Sequence, residues 1–107
     1  MLAFTGGNLI DGAGGTPLAD TSVLVNGQGR IEAVGPRCAV TLPPDCPVVN
    51  VTGLTLLPGL IDCHDHLTSF GYEFLGRWGL AEPRSARVLR VAKWMEETLL
   101  SGYTAIR

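Results

Sequence analysis

Positive charge is scarce and scattered in this 107-residue chain, which has one lysine, Lys93, and no basic block among its eight Lys and Arg residues. At a formal net charge of −2 nothing points to nucleic acid or to an anionic membrane surface as a partner. Long apolar runs are missing as well. None approaches the roughly 20 residues of a membrane span, and no positively charged start precedes an apolar core at the N-terminus, so no secretory signal is expected. The three cysteines are an odd number and make no disulfide framework. Reduced thiols in a cytoplasmic protein are the simplest reading. Charged residues are 17% of the chain and hydrophobic ones 46%, an ordinary globular balance, and the length allows a modest core. Histidine is nearly absent too, and the two that occur, His64 and His66, stand one residue apart.

Glycine and proline punctuate the first half. Residues 2–6 are a short apolar run, and "NLIDGAGGTP" after it is loop-like, with Asp11-Gly12 and Gly14-Gly15 as turn signals. Two β-branched and apolar runs, 22–25 and 30–34, flank Asn26-Gly27-Gln28-Gly29. That is a hairpin signature, because an Asn-Gly step readily takes the positive φ of a tight turn. "CAVTLPPDCP" should be a surface connection, and residues 48–51 and 54–57 read as two more short strands. The whole segment, 1–57, is expected to be antiparallel β structure.

The pattern changes at Pro58. "GLIDCH" is a short buried-strand candidate, and "LTSFGYEFLGRWGLAEP" reads as a long loop. From 84 to 101 the apolar positions Val88, Leu89, Ala92, Met95 and Leu99 recur at spacings of three and four, which predicts a helix. Pro83 suits its first turn and Gly102 its end. "YTAI" begins another strand. Strand, loop, helix, strand over 58–107 is a βαβ unit and implies parallel pairing. Such a unit leaves a helix face and strand edges uncovered, so the chain reads as the front end of a larger protein.

On a strand, residues two apart face the same side, so His64 and His66 present both imidazoles to one place. Two neutral imidazoles make a natural half-site for a divalent metal. Asp62 shares their parity, as a third ligand or as a hydrogen-bond partner behind the pair, whereas Cys63 and Asp65 face the other way. The plainer alternative is a histidine pair that merely caps a strand end. The position, where a buried strand meets a long loop, is where active sites sit in parallel α/β folds.

"LLPGLIDCHDHL" resembles the signature of the metal-dependent amidohydrolase superfamily, whose first barrel strand carries Pro-Gly, apolar residues, Asp and His-x-His. The segment "TGGNLIDGAGGTPLADTSVLVNGQGRIEAVG" is similar to the family's N-terminal β segment. "SARVLRVAKWMEETLLSGYTAIR" is similar to its first barrel helix and the Gly-x-Thr-Thr-Val-Arg second strand. The branch most resembled is that of imidazolonepropionase and Xaa-Pro dipeptidases. The resemblance implies an α/β fold: an N-terminal β-sandwich segment, then the first βαβ unit of a TIM-type (β/α)8 barrel, truncated. It implies hydrolysis of an amide or cyclic-amide bond of a small molecule by water activated on a divalent metal, zinc, one or two ions. His64 and His66 would be metal ligands, and the enzyme could be a homo-oligomer.

The later parts of such a site are a carboxylated lysine or a glutamate, two more histidines and an aspartate base, and none is expected in this chain. Lys93 lies on the predicted helix as a solvated charge. Alone, the polypeptide should be inactive. Phe70, Tyr72, Phe74 and Trp78 in the long loop either line a substrate pocket or pin the loop down. Trp94 reads as packing and Cys63 as a core thiol. A different class of function stays open: a non-catalytic β-rich binding module, or the product of a degraded gene.

Overall fold

The computed structural model describes residues 1–67 and 83–107. They fall into two units, Met1–Pro58 and Gly59–Arg107. In the first, β1 (Leu2–Leu9), β2 (Leu18–Val25) and β3 (Ile31–Pro36) form an antiparallel meander. Two short strands, β4 (Val48–Asn50) and β5 (Thr55–Leu56), join β1 on its other edge. Both run parallel to β1, which corrects the all-antiparallel expectation. The reason is the connection. Residues 37–47 carry the chain from the far edge of the sheet back to the start of β1, so β4 enters alongside β1 in the same direction.

β1 divides itself between these two partners at Gly6-Gly7. Ala3, Phe4 and Thr5 pair with Val48, Val49 and Asn50, and Asn8 and Leu9 pair with Thr55 and Leu56. Between them Thr5 accepts from the Val51 amide at 2.9 Å, and Asn8 donates to Leu54 at 3.0 Å. A Cβ on Gly7 would stand 3.0 Å from the Val51 carbonyl oxygen, and Gly6 has φ +87. Only a glycine pair lets the chain pass this close. The core lies here: Ala3, Val23, Leu24 and Val51 are buried with Thr5, Thr21 and Ser22. The Thr21 hydroxyl donates to the Gly7 carbonyl at 3.0 Å, which satisfies a buried polar group.

The hairpin between β2 and β3 forms where its turn residues lie, but its turn differs from the expected one. The positive φ falls on Gly29 (+74) and not on the Asn26-Gly27 step. Asn26 holds the loop by another route. Its Oδ1 accepts from the amides of Gln28 and Arg30, both at 3.0 Å, and its own amide donates to the Arg30 carbonyl at 2.9 Å. The Gly29 amide donates to the Asn26 carbonyl at 3.1 Å, and a loop built this way needs one left-handed position at its end instead of two in its middle. β1 and β2 also extend past the apolar runs that mark them, to Leu9 and back to Leu18. Among the described residues the sandwich expected for this segment is a single sheet.

The second unit has the expected order: β6 (Leu60–Asp62), α1 (Arg84–Leu100) and β7 (Tyr103–Ile106), with β6 and β7 parallel. Pro83 stands at the N-cap, and Gly102, at φ +98, closes the helix by donating its amide to Leu99 at 3.0 Å. No residue of α1 is buried: Val88 is 66% exposed and Leu89 73%. The amphipathic stripe formed, but its apolar side is open among the described residues. Gly59 leads into β6 hard against β7, since a Cβ there would collide with the side chain of Thr104.

Candidate functional site

The strand carrying the histidines stops at Asp62, two residues before the first of them. His64 and His66 therefore lie in the segment that leaves the C-terminal end of β6, and strand alternation does not set their direction as expected. The rings nevertheless meet. Nε2 of His64 is 2.9 Å from Nε2 of His66, with ring centroids 4.9 Å apart and planes at 56°. At that distance the two nitrogens share a hydrogen bond, whose donor is set by the ring tautomers. Both side chains are exposed.

Two aspartates shape the segment. Asp62 Oδ1 accepts from the His64 amide at 3.0 Å, an Asx turn that ends the strand. Its carboxylate thus engages the backbone of one histidine and not an imidazole. Asp65 Oδ1 accepts from the His66 amide, 2.6 Å away, and the Asp65 amide donates to the Arg107 carbonyl at 3.0 Å. Sequence parity had set Asp65 aside. Its presence beside a turn, where an aspartate can take a free amide, was the available signal.

Cys63 is exposed and unbridged. Trp94 borders a cleft of about 240 Å³ with Asp62, Asp65, Glu97, Thr98 and Tyr103. Lys93 is a helix-surface charge that meets Glu97 at 3.5 Å. Phe70, Tyr72, Phe74 and Trp78 lie outside the described residues.

The donor set suits half of a metal site. Two aromatic nitrogens converge, as borderline metals such as zinc prefer. Metal–nitrogen bonds of about 2.0–2.1 Å at tetrahedral angles set donors roughly 3.3 Å apart, so rings now in contact need only part slightly to admit an ion. Among the described residues no group of three His, Cys, Asp or Glu side chains could hold one. No described helix is long and apolar enough to cross a membrane.

No family model matches the chain. It is 37% identical over 60 residues to an imidazolonepropionase of Vibrio cholerae, covering 56% of this chain and 14% of that protein. It is 38% identical over 71 residues to a dihydroorotase of Syntrophus aciditrophicus, covering 64% and 16%. Among solved structures, an amidohydrolase superposes with a TM-score of 0.78 at 27% identity, over 99% of this chain and 24% of that one. Other matches are named as a formamide deformylase, an N-acyl-D-aspartate deacylase and a molinate hydrolase. The homologues are hydrolases of carbon–nitrogen bonds, and the chain spans about a seventh of the curated relatives it matches first.

Proposed function

We propose, from a chain whose homologues are amidohydrolases, that residues 58–107 form the first βαβ unit of a metal-dependent hydrolase barrel. Residues 1–57 are then one part of its β-sandwich. The observation that carries the proposal is the meeting of His64 and His66 at the C-terminal end of a parallel strand, 2.9 Å apart at Nε2. That end of the strands is where catalytic groups gather in such barrels.

His64 and His66 would hold a divalent cation, zinc, through their imidazole nitrogens. When bound, such an ion supplies Lewis-acid activation of water for attack on an amide carbon. Asp62 stands behind the ligands, its carboxylate holding the amide of His64 and with it the backbone from which that ring projects. The substrate is a small-molecule amide or cyclic amide. A catalytic zinc site normally takes three protein ligands, so the remaining ligand and the base come from outside this chain, which alone is inactive.

Calorimetric titration of the 107-residue chain with zinc tests the half-site. Binding is expected to be weak, with two nitrogen donors, and to vanish in the His64→Ala/His66→Ala double variant. Binding indifferent to the double substitution overturns the reading.

A further inference from the structure

The ladder between β6 and β7 does not end evenly. Asp62 pairs with Ile106, and the Arg107 amide donates to the Asp62 carbonyl at 3.0 Å. In a regular parallel ladder the Arg107 carbonyl would next accept from residue 64. It accepts instead from Asp65, at 3.0 Å. One extra residue is inserted at the strand end, which is a bulge, a device that re-aims side chains. The bulge takes the His64 amide out of the ladder, and Asp62 Oδ1 receives it. The same bulge pins the Asp65 backbone to β7 while the Asp65 carboxylate takes the His66 amide.

Both histidines are exposed, so packing does not fix their direction. Hydrogen bonds to the backbone around them must do so. We propose that Asp65 is a positioning residue: tied to Arg107 through its amide and to His66 through its carboxylate, it sets the course of the bulge that turns the two imidazoles together. The inference rests on the metal-binding reading for its purpose, but not for its geometry.

Two measurements test it, on the full chain. In the metal-free protein, ring-nitrogen NMR reports the contact between the two Nε2 atoms. Asp65→Ala is expected to abolish that signature while the amides of Leu60, Ile61 and Tyr103 keep their shifts. Asp65→Asn, which keeps an acceptor oxygen, is expected to retain it. In the zinc titration Asp65→Ala is expected to weaken binding by about tenfold, the lower range for loss of a partner behind the ligands, and Asp65→Asn to restore most of it. A ring contact unchanged in Asp65→Ala overturns the inference, whatever the metal result. So does a variant in which the ring contact is lost only together with the β6–β7 amide pattern, since the role is then merely structural. A wild-type chain that shows the ring contact but no histidine-dependent zinc binding overturns the metal reading and leaves the positioning role to be decided by the NMR arm.

Discussion

A single missing methyl group joins the two strands of the second unit. A Cβ added to Gly59 would stand 2.7 Å from Thr104 Cβ and closer still to the atoms beyond it. The colliding atoms begin at the branch point, so no rotamer of Thr104 clears the way, and the strands must part. Gly59→Ala is expected to destabilise the β6–β7 pair by about 1–3 kcal/mol, the usual range for overpacking. Hydrogen exchange at Leu60 and Tyr103 reads the loss, and Thr104→Gly in the same chain is expected to recover most of it. Unchanged exchange in Gly59→Ala would contradict the close approach. From the sequence, Pro58-Gly59 could be seen as a break between segments, but the demand on Gly59 depends on a residue 45 positions later and is invisible until the strands are paired. Asp65 is a similar case. Its residue type suits a turn, yet alternation along a strand has no hold on it, because the strand ends at Asp62 and a bulge follows.

The helix is an element whose charges oppose its own field. Its first turn holds no acidic residue and its last turn no basic one, while Arg84 and Arg87 sit at the positive end of the dipole. Pro83 at the N-cap offers no side-chain acceptor for the free amides. Lys93 and Glu97 pair with the base on the N-terminal side, the weaker of the two orders. Arg84→Glu is expected to stabilise α1 by about 1 kcal/mol at low ionic strength, seen as slower exchange of the first helical amides. The gain should shrink in 1 M salt, where screening reaches about 3 Å. No gain at low salt would mean that Arg84 is already compensated. The helix was legible from its spacing of three and four, its proline and its glycine, because those signals are local. The direction of β4 and β5 was not. Short apolar runs of two or three residues carry no mark of which neighbour they pair with, and the sheet settles it through the course of the connection and the close approach at Gly6-Gly7.

At the scale of the molecule, burial is uneven. Among the described residues the buried ones all belong to Met1–Pro58, whereas in the second unit Ile61 is 67% exposed and Leu99 60%. Open apolar surface of this extent favours association. Sedimentation of the purified chain is expected to show concentration-dependent self-association, and a monodisperse monomer that melts cooperatively would count against it. The likeness to amidohydrolases was legible because several motifs in order are a strong signal, while the geometry of the histidine pair was not, since it depends on the Arg107 backbone. The sheet of the first unit has a consequence for how the protein is made. Its strands span 2–56, and every ladder within it is closed by residues earlier than Pro58. During synthesis the nascent sheet can therefore complete itself as soon as that stretch clears the ribosome, before His64 has emerged. The histidine segment then joins a chain whose first part is already shaped, and its own partner strand arrives some forty residues later.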